Sequence, residues 1–103
     1  GFNGQNFAFN GYLPIDATER VQKLKQLEQR VYTEDQTQLF IETPYRNNRM
    51  VEEIVRSCRP QTRLCIAANL TCEGEYVRSR TIKEWKGHIP DLSKIPCIFL
   101  LYK

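Results

Sequence analysis

Leu39, Phe40 and Ile41 form a short apolar run, and beyond it Met50, Val51, Ile54, Val55 and Cys58 recur on one helical face. The run predicts a strand end covered on both sides. Pro44, which cannot donate to a ladder, suits the first turn of the helix that follows. The stretch Phe40 to Met50 therefore reads as strand, proline-fixed turn and amphipathic helix. Such a corner is ordinary structure. It also sets a helix N-terminus beside a strand end, where N–H groups and a positive dipole can face a ligand. The pattern alone does not separate the two readings.

The same reading extends along the chain. Phe7, Phe9 and Leu13 alternate around smaller or polar residues, as in a first strand, and Gly11 within it predicts a bulge. Asp16 and Glu19 have capping-box spacing, so a helix is expected from near Ala17, with Val21, Leu24, Leu27 and Val31 as its apolar stripe. Arg20, Lys23, Lys25 and Arg30 fall off that stripe. They read as a solvated surface, with a basic face towards RNA as the sharper alternative. Leu64 to Ala68 is a second buried strand, Thr71 to Gly74 a turn, and Tyr76 to Arg80 a more exposed strand. Thr81 and Glu84 make another capping box, opening a short helix with Ile82 and Trp85 inward, closed by Gly87 to Pro90. The last strand, Pro96 to Tyr102, is apolar throughout and belongs in the middle of the sheet.

The expected fold class is therefore α/β with mixed strand pairing: five strands and three helices in a single domain spanning residues 1–103. The long connection between the first two strands favours a parallel pair with a right-handed crossover. The short turn between the third and fourth favours an antiparallel one.

Composition changes this picture little. The chain has 103 residues, 41% hydrophobic and 26% charged, which suits one globular domain. Its net charge of +3 permits a nucleic-acid partner without requiring one. Cys58, Cys65, Cys72 and Cys97 contain no C-x-x-C pair, and His88 is the only histidine, so no metal site is expected. The cysteines adjoin apolar runs and read as reduced buried thiols of a soluble, cytoplasmic protein without a membrane span. There is no glycine-rich phosphate loop and no nucleophile–base arrangement. Glu52 and Glu53 read as solvated helix residues, and no catalytic residue is assigned. The polar run from Gly1 to Asn6 reads as a cut through a longer protein.

Three blocks add a resemblance. Glu42-Thr43-Pro44-Tyr45-Arg46 resembles E-A-P-H-R, Phe7 to Pro14 resembles F-x-F-x-G-F-L-P, and Ile66-Ala67-Ala68-Asn69-Leu70-Thr71 resembles V-A-R-E-L-T. These are segments of the tetrapyrrole methylase superfamily of S-adenosylmethionine methyltransferases, nearest the branch that 2'-O-methylates ribose in small-subunit ribosomal RNA. The resemblance implies the C-terminal half of a two-domain enzyme. The absent N-terminal domain would carry the glycine-rich cofactor motifs, and the isolated chain would be inactive. It also implies a homodimer. Carried over by position, it places S-adenosylmethionine against Pro44, Tyr45, Ala67, Ala68, Leu70, Thr71, Ile95 and Pro96. The acceptor cleft would hold Phe9, Gly11, Tyr12, Leu13, Pro14 and Arg46. Ala68, Asn69 and Tyr45 depart from the arginine, glutamate and histidine of the branch, which bears on the acceptor (ribosomal RNA, a tetrapyrrole or another small molecule) more than on the cofactor.

Two other functions compete. One is a stand-alone RNA-binding module using Arg46, Arg49, Arg78 and Arg80 with Tyr45 and Tyr76. The other is a structural domain that dimerises through its third helix or an edge strand.

Overall fold

A computed structural model describes residues 6–69 and 74–103. The elements run β1 (Phe7–Tyr12), α1 (Ala17–Glu34), β2 (Thr37–Ile41), a single 3-10 turn (Pro44–Arg46), α2 (Asn47–Ser57), β3 (Arg63–Ala68), β4 (Tyr76–Thr81), α3 (Ile82–Trp85) and β5 (Cys97–Tyr102). The sheet order is β1-β2-β5-β3-β4. β1 and β2 are parallel, while β5 runs antiparallel to both β2 and β3, and β4 antiparallel to β3. The apolar β5 is thus the central strand. The expected turn around Thr71 lies outside the described residues except for Gly74.

Local chemistry explains where the elements begin. The Asp16 carboxylate accepts from the Glu19 N–H at 3.0 Å and opens α1. Thr81 and Glu84 form a complete capping box at α3. The register of β1 shifts between Phe9 and Tyr12, where Gly11 has φ of +65°. That left-handed backbone is open to glycine without cost, and it makes the bulge.

All three helices contribute to one core, on one face of the sheet. Leu24, Leu27, Met50, Ile54, Ile82 and Trp85 meet Phe40, Leu64, Ile66, Phe99 and Leu101 there. The reverse face is different. Phe7, Phe9 and Val77 are 58%, 63% and 48% exposed, and Leu39, Ile41, Ile98 and Leu100 are only half-buried. The run Leu39–Ile41 was expected to be covered on both sides; helices pack on one side only, so alternate residues there and along β5 remain partly open.

Two corrections concern charge. Arg20 was expected on a solvated surface of α1 and Glu53 on that of α2, yet they are 4% and 8% exposed. They face each other as a two-pronged ion pair, with Nη2 of Arg20 2.6 Å from Oε1 of Glu53 and Nε donating to Oε2. Nη1 of Arg20 also donates to the carbonyls of Ile15 (2.7 Å) and Pro14 (3.3 Å). Every prong has an acceptor, which makes the burial tolerable. Val21, placed in the stripe, is half-buried at its edge. The apolar residues of α3 are fully buried, so that helix has none to offer a second copy.

Candidate functional site

The C-terminal ends of β1, β2 and β3 meet the N-terminal end of β5 at one end of the sheet. Two adjoining hollows open there. The first, about 380 Å³, lies between Pro44, Ala67, Pro96, Ile41 and Ile98, with Cys97 behind them. The second, about 760 Å³, is walled by Asn10, Leu13, Pro14, Thr43, Arg46 and Lys23. Tyr12 and Glu42 line both. Volumes of this size suit a small organic ligand.

Each wall is held by a specific bond. Gly11 lets the chain bulge before Tyr12, which is 64% exposed at the junction. The Glu42 carboxylate, 9% exposed, accepts from the Thr43 N–H at 2.7 Å through Oε1. Lys94 N–H donates to the Pro44 carbonyl at 3.2 Å, and Asn69 N–H to the Pro96 carbonyl at 3.2 Å. These bonds stitch the β2 corner, the end of β3 and the approach to β5 together.

The start of α2 secures the same loop from beneath. Asn47 is fully buried, and its Nδ2 donates to the carbonyls of Leu92 (3.2 Å) and Ile95. Asn48 Nδ2 donates to the Pro90 carbonyl and its Oδ1 accepts from Leu92 N–H, both at 2.7 Å. The polar residues at the head of α2 therefore position the Pro96 wall, 45 or more residues away in sequence.

Burial pushes the Cys97 thiol up to about 11. It stays protonated near neutrality and serves as wall, not nucleophile or metal ligand. Among the described residues no group of three metal-ligating side chains gathers, and no helix is long and apolar enough to cross a membrane.

Of the residues carried over for the cofactor, Pro44, Ala67 and Pro96 come together in the first hollow. Ala68 does not: it is 1% exposed and points into the helix-side core, because neighbours on a strand face opposite ways. Tyr45 is 82% exposed and lines neither hollow. Ile95 packs against the core from the loop. Leu70 and Thr71 lie outside the described residues. Of the acceptor set, Tyr12, Leu13, Pro14 and Arg46 wall the second hollow. Gly11 shapes it through the bulge, whereas Phe9 projects from the uncovered sheet face. Glu42 is the residue the sequence reading passed over. It stood inside the quoted corner block, but only the fold shows that it divides the two hollows.

Comparison with solved structures adds one finding. The chain is similar to the methyltransferase CobJ, with a TM-score of 0.57 and 14% identity over 97% of this chain and 42% of that one. It is also similar to uroporphyrin-III C-methyl transferase from Thermus thermophilus, complexed with S-adenyl homocysteine (TM-score 0.58, 13% identity, 100% of this chain and 45% of that one). What is shared is the fold. The chain spans under half the length of either structure. No protein-family profile matches it, and no curated protein sequence does so significantly.

Proposed function

We propose that this chain is the C-terminal cleft domain of an S-adenosylmethionine-dependent methyltransferase, and that the first hollow takes the adenosine end of the donor. One observation carries the reading. Pro44, Ala67 and Pro96, from three separate segments, converge on a narrow apolar slot beside the Glu42 carboxylate, in a fold shared with two methyltransferases.

The residues fit that group. Ala67 ends at its Cβ and leaves room for a flat ring, and the two prolines and two isoleucines offer apolar surface to it. Glu42 would accept from the ribose hydroxyls. When bound, S-adenosylmethionine supplies a methyl group already activated on a sulfonium. The protein's share is then alignment of the acceptor and exclusion of water. Tyr12 and Glu42, at the junction of the hollows, would separate donor from acceptor. Arg46 and Lys23 favour an anionic acceptor in the larger hollow. The block resemblance supports ribosomal RNA ribose. The uroporphyrin-III enzyme among the fold's relatives favours, as a second reading, a small carboxylated acceptor.

The same proposal includes an N-terminal domain bearing the glycine-rich motifs and a homodimeric, cytoplasmic parent enzyme. No described residue takes the role of general base, and the chain alone is expected to give no methylated product. Cofactor-dependent product from the isolated chain would overturn that part. For the donor site, calorimetric titration with S-adenosylhomocysteine is the test. Ala67→Phe fills the slot and is expected to weaken binding by roughly tenfold or more. Unchanged affinity in that variant would remove the hollow from the proposal.

A further inference from the structure

A separate hollow of about 410 Å³ lies where β4 passes into α3, lined by Arg80, Lys83, Lys86, His88 and Glu84. β4 begins opposite Ala68 at the candidate-site end and finishes opposite Arg63 at the other, so this hollow sits at the far end of an edge strand.

Charge is concentrated there. The segment 76–88 holds Arg78, Arg80, Lys83 and Lys86 against the single carboxylate of Glu84, a net +3. The whole chain is also +3, so everything outside the segment balances to zero. Nor is the excess neutralised locally. Glu84 spends Oε1 on the N–H and the hydroxyl of Thr81, both at 2.9 Å. Among the described residues, Arg80, Lys83 and Lys86 form no ion pair.

The cations are also arranged. Tyr76, Arg78 and Arg80 alternate along β4 and share one face, roughly 7 Å apart. The Arg78 guanidinium lies over the Tyr76 ring at 5.8 Å, and that of Arg80 over the Trp85 indole at 5.0 Å. Trp85 is itself fixed, fully buried with its Nε1 donating to the Leu64 carbonyl at 2.8 Å. Arg80 is thereby held by its flat face, which leaves its N–H edges for a ligand.

We infer that this hollow and the row of arginines leading to it bind the phosphodiester backbone of a single-stranded nucleic acid. A line of spaced cations suits a flexible polyanion, and the concave end with two lysines suits one phosphate held more closely. A compact anion would engage the hollow but leave the row unused. The inference stands apart from the donor site, since neither Ala67 nor Pro96 takes part.

The test is fluorescence anisotropy of a labelled 12-residue oligoribonucleotide, and of its deoxy counterpart, titrated with the full chain without cofactor at several salt concentrations. Binding of either is expected at low salt. Lys83→Glu with Lys86→Glu should weaken it about tenfold or more and flatten the salt slope by about 0.7, one phosphate's worth for a single strand. Lys25→Glu with Arg30→Glu, a matched change on α1, should stay within about twofold of the parent chain. Preference between the two oligonucleotides identifies the source as RNA or DNA. Absence of binding at low salt, or equal losses in both variants, would overturn the inference. Lys25, Lys83 and Lys86 are exposed and Arg30 is half-buried, and circular dichroism verifies folding.

Discussion

Arg20→Met is expected to destabilise the fold by about 3–5 kcal/mol, the usual cost of leaving a buried charge without its partner. The change strands the Glu53 carboxylate, which is 8% exposed between α1 and α2, and frees the carbonyls of Pro14 and Ile15. For a domain of this size the melting temperature should fall by on the order of 12 °C or more. Arg20→Met with Glu53→Leu should recover much of the loss, since an apolar pair of similar bulk removes both charges. Urea denaturation of the three proteins measures this; a loss under about 1 kcal/mol in the single variant would show that the pair is solvated. The pH dependence has a definite sign. The hydrogen-bonded guanidinium of Arg20 holds the Glu53 carboxyl below its ordinary value. Its contribution is therefore complete above the unfolded value of about 4.3 and disappears as pH falls through the lower folded one.

Trp85→Ala is expected to cost about 3–5 kcal/mol, as for other large aromatic residues removed from a core. Trp85 is the largest of the fully buried side chains, and its indole N–H satisfies the Leu64 carbonyl inside β3. Trp85→Phe keeps most of the bulk and should cost less, about 1–3 kcal/mol, for the lost indole hydrogen bond and the small cavity left. Because Arg80 rests on the indole, nucleic-acid binding should weaken in the alanine variant even where it remains folded. Chemical denaturation orders the variants; an alanine variant as stable as the parent would contradict the packing described for α3.

Some of this was legible in the sequence, for identifiable reasons. The cap signal at Asp16, the capping box at Thr81, the proline corner and the uninterrupted apolar β5 are local patterns, and local patterns decide element type. Burial of charge is not local. Arg20 and Glu53 are 33 residues apart, and nothing on either helix shows that the other will arrive. The two alanines make the same point at the scale of one bond. Ala67 and Ala68 read alike as small residues at a strand end, yet strand alternation sends Ala67 to the hollow and Ala68 to the core. Which is which follows only from the helices all packing on one face. That one-sided packing also explains the exposed Phe7 and Phe9, which the alternating pattern of β1 placed correctly in a strand without fixing what they would face. Glu42 was hidden for a different reason: its role comes from dividing two hollows, each built from distant segments.

The claim on which the functional account depends is that the slot between Pro44, Ala67 and Pro96 takes the adenosine end of a methyl donor. Titrating the isotope-labelled chain with S-adenosylhomocysteine and following backbone amides by two-dimensional NMR tests it most directly. The account predicts saturable shifts at Glu42, Thr43, Ala67, Cys97 and Ile98, reproduced by adenosine alone and absent from β4 and α3. Shifts confined to other parts of the sheet, or none at millimolar ligand, would contradict it.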